Sequence, residues 1–244
     1  MKFLVCISSV PDTTTKITFQ DGKSLQSNGV QYIINPYDEI ALTRALELKE
    51  ALGGTVTVAH VGPIANEAVI RKALAIGADD AVRIDAEPDD AFFVAAELAA
   101  YINQNPFEVI LTGRESIDFN SGQVGSILAE LLGLPSVCVV KKLEIAGEQA
   151  TLEREIDGGK EIISLPLPLV ISAQKDLAEP RIPNMRGIMS ARTKPLKVIP
   201  ASTMEKFTQT GTFSTPAPKQ QVKLVGPDNL DELVHLLHTE AKVI

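Results

Sequence analysis

The sequence predicts an α/β fold with a doubly wound, mostly parallel sheet, and three observations support this prediction. Up to Val140, short apolar segments alternate with longer amphipathic segments. The short segments are apolar throughout, as expected for strands that are covered on both faces. Glycine and proline punctuate the boundaries between many of these segments. Repeated strand–helix units favour a parallel sheet with helices on both faces, in a Rossmann-like arrangement.

The elements follow from local patterns. Continuous apolar runs predict strands over residues 3–7, 55–61, 81–84, 109–113 and 136–140. Apolar residues at helical spacing predict helices over residues 37–52, 65–76, 89–104 and 122–132. Gly53, Gly77 and Gly133 end three of these helices.

The second part of the chain has a different pattern. Alternating polarity over 142–145 and 150–154, on either side of Gly147, predicts a β-hairpin, and two more strands are predicted over 161–165 and 169–173. From Glu179 onward, repeated prolines predict loop structure. Helical spacing returns over 228–241, with Asp228 as the predicted N-cap. The fold class is therefore completed by an added β-hairpin and an extended C-terminal arm that ends in a helix.

Composition excludes several classes of protein. The chain has 244 residues, of which 45% are hydrophobic, and a formal net charge of −8, which argues against general nucleic-acid binding. No apolar run reaches the roughly 18 residues of a membrane span, and the apolar start is too short for a signal peptide. Cys6 and Cys138 lie in apolar runs without a CxxC motif, which predicts buried free thiols and no structural zinc. We therefore expect a cytoplasmic protein.

Ligands of open parallel sheets bind beyond the carboxyl ends of the strands. Four loops have this position, over residues 8–12, 35–38, 61–63 and 113–125. The fourth loop is rich in Gly, Ser and Asn and leads into a predicted helix, whose first N–H groups could hold a phosphate. A plain capping loop is the alternative. The loop matches neither the Walker A motif nor the dinucleotide-binding fingerprint.

Catalytic constellations are sparse in this sequence. His60 lies in a predicted strand, where packing or capping is its expected role, and His235 and His238, one helical turn apart and without a Cys nearby, are not expected to form a metal site. No G-x-S-x-G motif is present, and no histidine is placed to activate a cysteine. The residues therefore indicate no acid–base or nucleophilic catalytic site. The basic stretch 175–206 is interpreted either as a solvated face or as a surface for an anionic partner.

One segment carries a specific resemblance. Residues 152–161, Leu-Glu-Arg-Glu-Ile-Asp-Gly-Gly-Lys-Glu, followed by residues 165–172, Leu-Pro-Leu-Pro-Leu-Val-Ile-Ser, resemble the signature of electron transfer flavoprotein β subunits. Residues 34–39, 116–125 and 179–181 are similar to further family motifs and keep the family's order. The resemblance covers nearly the whole chain.

The resemblance implies an electron carrier that is not itself an enzyme and that forms a heterodimer with an α subunit, which holds most of the redox-active FAD. The β subunit of this family binds AMP in ordinary carriers and a second FAD in electron-bifurcating ones. Acyl-CoA or related dehydrogenases, as in fatty acid β-oxidation, are the implied donors, and a quinone oxidoreductase is the implied acceptor. A stand-alone nucleotide-binding protein of the same fold remains a further alternative. No nucleic-acid partner is implied.

The resemblance also implies site residues. Residues 1–190 would form the adenine-nucleotide-binding domain, and residues 191–244 an arm that packs on the α subunit. The implied nucleotide-binding residues are Cys6, Asn35, Pro36, Tyr37, Asp38, Val61, Ser116, Ile117, Asp118, Phe119, Asn120, Ser121, Gly122, Gln123 and Val124. The implied flavin-tuning residues are Arg154, Glu155 and Asp157, and the implied docking residues for a dehydrogenase are Met185, Arg186, Ile188 and Met189.

Overall fold

A computed structural model describes residues 1–22, 24–88, 90–202, 204–218 and 222–244. Within these residues, strands β1 to β13 are Lys2–Cys6, Ser9–Pro11, Phe19–Gln20, Ser24–Leu25, Tyr32–Ile34, Thr55–Val61, Asp80–Asp85, Val109–Gly113, Ser136–Ala146, Gln149–Ile156, Gly159–Pro166, Leu169–Ala173 and Leu196–Pro200. Helices α1 to α6 are Pro36–Leu52, Glu67–Ile76, Ala91–Gln104, Val124–Leu132, Met185–Ala191 and Leu230–Leu236. A 3-10 turn, Ile64–Asn66, precedes α2, and a π-helical turn, Leu237–Ala241, follows α6.

Across the described residues, one large sheet has the strand order β11-β10-β9-β12-β8-β1-β6-β7-β13. Strands β9, β12, β8, β1, β6, β7 and β13 pair in parallel with one another. Strand β10 pairs antiparallel with both β9 and β11, which makes two successive hairpins at one edge, and the first of them is the hairpin predicted around Gly147. The chain runs from β1 to β6 and β7 on one side and then returns to β8 on the other. The strand order therefore reverses between β1 and β8.

The core lies on both faces of the sheet. One face is covered by α1 and α2, with Leu42 and Leu74 fully buried, and the other by α3 and α4, with Leu98 and Leu128 buried. Because helices cover both faces, the strands need apolar side chains on both sides, which explains their continuous apolar sequence. The doubly wound α/β fold with an added hairpin and a C-terminal helix is confirmed.

Most predicted elements are present with small changes at their ends. The predicted first residue of the third helix, Asp89, lies outside the described residues, and the described helix begins at Ala91. The predicted cap at Asp228 is wrong, since Asn229 is the residue at the start of α6. No described helix is both long and apolar enough to cross a membrane.

The prediction of loop structure after Glu179 is wrong in two places. Helix α5 forms because the Asn184 side chain accepts the Gly187 N–H at 2.8 Å, and because Arg71 of α2 donates to carbonyls at the end of α5. Strand β13 forms at the sheet edge beside β7, where Pro200 at its end removes no inner ladder bond. Residues 196–200 of the predicted arm are therefore part of the sheet.

The chain after Pro200, which we call the tail, runs back over α3. Ser202 and Thr208 bond to carboxylates of this helix region, and Phe213 stacks on Phe19 with ring centroids 4.9 Å apart. Beyond these contacts, α6 exposes Leu230 and Val234. Among the described residues, these contacts of the tail with the α/β body all lie in its first part.

Candidate functional site

A cleft of about 330 Å³ opens where the strand order reverses. The carboxyl ends of β1, β6 and β8 form its floor, which we count as the first wall of the cleft. This floor includes Cys6, Val61 and Thr112. The loop after β8 and the start of α4 form a second wall. This is the position at which open α/β sheets bind their ligands.

Asp38 joins two of the predicted loops at this cleft. Its Oδ2 accepts the Ser8 N–H at 2.7 Å, and its Oδ1 accepts the Gly113 N–H at 2.8 Å. Burial raises the pKa of the Asp38 carboxyl to about 7, and the N–H bonds of Ser8 and Gly113 oppose this shift. Asp38 therefore fixes the ends of β1 and β8 relative to the start of α1.

Asn35 fixes the fourth loop in a similar way. Its Nδ2 donates to the Glu115 carbonyl at 2.8 Å, and its Oδ1 accepts the Ile117 N–H at 3.3 Å. Gly113 is required at this junction, since a Cβ there would lie 2.3 Å from Oδ1 of Asp38. The side chains before α1 thus hold the loop in place over the cleft.

The fourth loop is folded on itself before α4 begins. The Ser116 N–H donates to the Ser121 carbonyl at 3.2 Å, and Ser116 Oγ contacts Asp118, whose pKa burial raises. Gln123 makes no side-chain capping hydrogen bond to any described residue. The first N–H groups of α4 are consequently available to an anion, which the helix dipole favours.

A glycine brings the start of α4 close to the floor of the cleft. A Cβ at Gly125 would lie 2.8 Å from Oγ1 of Thr112. A larger residue would push α4 away from β8. The start of α4 therefore lies close to the end of β8 at this part of the cleft.

His60 has a structural role beside the cleft. Its Nδ1 lies 2.8 Å from the Ile7 carbonyl and its Nε2 lies 2.9 Å from Nδ2 of Asn66, so the first nitrogen donates and the second accepts. Burial lowers the pKa of His60. The neutral ring therefore ties β1 and β6 to the turn before α2, in agreement with the predicted packing role.

Both cysteines line the cleft as free thiols. Burial raises the pKa of the Cys6 thiol, which keeps it protonated. Cys138 is half-buried, with Sγ 3.2 Å from Oγ of Ser126. Within the described residues, no three His, Cys, Asp or Glu side chains cluster as metal ligands would.

Most of the predicted nucleotide-binding residues meet at this cleft. Those that line it are Cys6, Asn35, Asp38, Val61, Ser116, Asp118, Phe119, Ser121, Gly122, Gln123 and Val124. Four others, Pro36, Tyr37, Ile117 and Asn120, belong to the same segments without lining the cleft. Tyr37 instead lies under the Arg114 guanidinium, 5.6 Å from the ring centroid.

The sequence did not indicate a third wall of the cleft. This wall consists of α3 residues and one tail residue, namely Ala91, Val94, Leu98 and Thr208. Asp90, the N-cap of α3, connects the two parts, because its carboxylate bonds to Thr208. An Asp before an apolar helix is a recognisable cap signal, but no local pattern points to Thr208.

The predicted flavin-tuning residues lie apart from the cleft lining, on the β10–β11 hairpin. Arg154 Nε pairs with Glu161 at 2.6 Å, and Glu155 pairs with Lys141 at 2.6 Å. Asp157 lies exposed in the hairpin turn. Two of these three charges are therefore already balanced within the chain.

The predicted docking residues Met185, Arg186, Ile188 and Met189 form an exposed surface on α5. Met185 is 74% exposed and Met189 is 69% exposed. The helix packs closely on α2, since a Cβ at Gly187 would lie 2.3 Å from the Ala75 carbonyl. The structure therefore presents these side chains from a fixed helix.

Comparison with known proteins agrees with this architecture. The family model described as "Electron transfer flavoprotein domain" matches residues 23–204. Electron transfer flavoprotein subunit beta of Bacillus subtilis (strain 168) is 40% identical over 258 aligned residues, which cover 100% of both chains. The protein of the same name from Syntrophomonas wolfei is 40% identical over 221 residues, covering 90% of this chain and 87% of the relative.

A third relative comes from a differently named complex. The Caffeyl-CoA reductase-Etf complex subunit CarD of Acetobacterium woodii is 35% identical over 204 residues, covering 81% of this chain and 78% of the relative. The family match and the full-length relatives agree with the family motifs of the sequence. The chain therefore belongs to the electron transfer flavoprotein family, among its β subunits.

Proposed function

We propose that this chain binds AMP in the cleft and acts as the β half of a heterodimeric electron carrier. The observation that carries the proposal is the cleft itself, because it joins the switch point of the sheet to the free N-terminus of α4. Helix N-termini and switch points are the usual phosphate and nucleotide sites of this fold class. Membership of the electron transfer flavoprotein family supports the same role.

Each wall has a role in this proposal. Backbone groups at the ends of β1 and β6, next to Cys6 and Val61, would bind the adenine, and Asn35 and Asp38 would hold the loops around it. The N–H groups from Ser121 to Val124 would bind the phosphate. The close approach of Gly125 to Thr112 keeps the start of α4, with these N–H groups, next to the end of β8.

The size of the cleft is compatible with AMP, the smaller of the two candidate nucleotides. About 330 Å³ lies at the lower end of the roughly 300–1,000 Å³ typical of small-molecule sites. FAD contains a complete adenylate together with a ribityl chain and an isoalloxazine ring, so it needs considerably more space. The second candidate function, an electron-bifurcating subunit, is supported by the similarity to the CarD subunit.

FAD, held mainly by the α subunit, would supply the electron storage of the complex. The β10–β11 hairpin would lie against this flavin. Arg154 and Glu155 are held in place by ion pairs with Glu161 and Lys141, so their charges would be fixed relative to the flavin. Asp157 has an exposed position in the turn, from which its charge would contribute directly.

The exposed surfaces are available to the proposed partners. The apolar residues of α6 would pack on the α subunit, as residues 191–244 were expected to do. Met185, Ile188 and Met189 would dock on an acyl-CoA dehydrogenase or a related flavin dehydrogenase. A quinone oxidoreductase would accept the electrons. Methionine suits such a surface, since its unbranched side chain adapts to several partners.

The test is a cofactor count on the heterodimer produced together with its α subunit. Denaturation followed by chromatography should release one FAD and one AMP per heterodimer. Two FAD and no AMP would favour the bifurcating candidate instead. A chain that purifies without an α subunit and without a purine would contradict both.

A pair of matched variants locates the AMP. Asn35→Asp keeps the shape of the side chain but removes the amide donor to the Glu115 carbonyl, so AMP should be lost while FAD is retained. Asn105→Asp removes a similar donor to the Tyr101 carbonyl at the exposed end of α3 and should change neither cofactor. Equal AMP content in the two variants would exclude this position for AMP.

A further inference from the structure

Two similar pairs of hydrogen bonds attach the first part of the tail to α3. In each pair, which we call a clip, the backbone N–H and the hydroxyl of one tail residue donate to one carboxylate. The Ser202 N–H and Oγ donate to the two oxygens of Glu97 at 2.8 and 2.6 Å. The Thr208 N–H and Oγ1 both donate to Oδ2 of Asp90 at 2.6 and 2.5 Å. Since Asp90 precedes Glu97, the tail runs antiparallel to the helix between the two clips.

Aromatic contacts hold the same stretch of the tail. Phe207 packs edge-on against Phe92, with centroids 4.8 Å apart, and Lys206 lies 5.2 Å from the centre of the Phe93 ring. Hydrogen bonds to a carboxylate are stronger than those between neutral groups. The stretch beside the cleft is therefore fixed to α3, unlike the exposed end of the tail.

The two clips differ in one important respect. Thr208 lines the cleft, whereas Ser202 does not. Asp90 also has a second task, because its Oδ1 accepts the Phe93 N–H at 2.8 Å and so caps α3. One carboxylate thus joins the start of α3 to the tail residue that closes this side of the cleft.

We propose that the Thr208–Asp90 clip positions the third wall of the cleft and thereby sets the affinity of this chain for AMP. The proposal rests on AMP binding at the cleft and adds residues that no motif of the chain indicated. When the hydroxyl bond is lost, Thr208 keeps only its N–H bond to Asp90, and the side chain of Thr208 is free to turn away from the bound nucleotide. Thr208 is accordingly a positioning residue, acting through Asp90.

The experiment measures AMP binding by titration calorimetry on the heterodimer after removal of its nucleotide. Thr208→Val keeps the branched shape but lacks the donor, and we expect it to raise the Kd for AMP about tenfold. Thr208→Ser restores the hydroxyl and should bind AMP as the unmodified protein does. Ser202→Ala, the matched control at the other clip, should stay within about twofold.

A second variant tests the clip from the helix side. Asp90→Asn keeps an oxygen for the Phe93 N–H, since Asn is also a good N-cap, but its amide nitrogen cannot accept from Thr208. Asp90→Asn should also raise the Kd for AMP. The proposal can therefore still be tested with this variant if Thr208→Val does not fold.

The outcomes separate this proposal from the proposed function. If the unmodified heterodimer binds AMP and neither Thr208→Val nor Asp90→Asn changes the Kd, the clip has no positioning role, while AMP binding stands. Equal weakening by Ser202→Ala would also overturn it, because a general loosening of the tail would then explain the effect. If the unmodified heterodimer does not bind AMP, both proposals fail.

Discussion

The α/β body, up to Pro200, and the tail differ in where they place their apolar side chains. In the body, Leu111 and Leu128 are fully buried between the sheet and its helices. In the tail, Leu224 is 89% exposed and Leu230 is 62% exposed. Both regions contain similar residue types, so the difference arises from what each has to pack against.

This difference indicates where the stability of the fold originates. Burial of apolar surface stabilises a protein by roughly 25 cal/mol per Å², and an exposed side chain gains none of this. The body therefore supplies nearly all of the hydrophobic stabilisation, whereas the end of the tail can gain it only when another surface covers it. Contiguous exposed apolar residues are typical of such interaction surfaces.

The largest expected effect on the free energy of unfolding comes from a substitution at the centre of the body. Leu111→Ala should lower the free energy of unfolding by about 2–5 kcal/mol, because it leaves a cavity that the rigid sheet cannot fill. Leu224→Ala makes the same chemical change in the tail and should cost less than about 0.5 kcal/mol. Urea unfolding of both variants measures the difference. Similar losses in the two would contradict the assignment of stability to the body.

The next largest effect is a pH dependence of stability that comes from the buried Asp38 carboxyl. The folded protein holds its proton more tightly than the unfolded chain, since its pKa rises from 3.8 to about 7. Its contribution to stability is therefore fully present below pH 3.8 and is lost as the pH rises through about 7. Thermal unfolding across this range should show a decline with pH that the Asp38→Asn variant lacks.

Asp12 provides the matched control for this pH experiment. It is a half-buried residue, and hydrogen bonds from Thr14 lower the pKa of its carboxyl. Its contribution is therefore present at higher pH and lost as the pH falls, so Asp12→Asn should leave the decline toward pH 7 intact. A decline that survives in Asp38→Asn would show that another group causes it.

The body could be predicted largely from sequence, because its signals are local. Continuous apolar runs gave the strands, and strands β6, β8 and β12 have the predicted bounds. Helix α5 and strand β13 were missed because their stability is tertiary. Helix α5 depends on Arg71 of α2, and β13 on pairing with β7. Prolines close to these two elements also predict loop structure there, which hides the sequence signals of the helix and the strand.

The cleft could be predicted in part for the same reason. Three of its loops follow strand ends that converge in any parallel sheet, so topology alone brings Cys6, Val61 and Ser116 together. Thr208 lies 118 residues from Asp90, and no spacing rule links the two. A wall that one distant segment completes becomes visible only in the folded structure.

A deletion of residues 222–244 tests the tail itself. The body should keep its melting temperature, because α6 buries no residue within the described part of the chain. Co-elution with the α subunit should be lost, since α6 would no longer cover its partner. Gel filtration and calorimetry of the shortened chain measure both effects. A large fall in melting temperature would show that the tail stabilises the body directly.

The smallest effect on the fold is expected at α5, which is fixed like the body but exposed like the tail. Met185 is 74% exposed, so Met185→Ala should leave the unfolding free energy unchanged. If α5 docks a dehydrogenase, the same change removes an apolar anchor, and electron uptake from an acyl-CoA dehydrogenase should slow while the FAD content stays constant. Stopped-flow reduction of the heterodimer measures this rate, with Ile17→Ala as an exposed apolar control elsewhere on the surface. Equal rates in both variants would exclude Met185 from docking, because a surface that gains energy only on contact must lose rate when its anchor is removed.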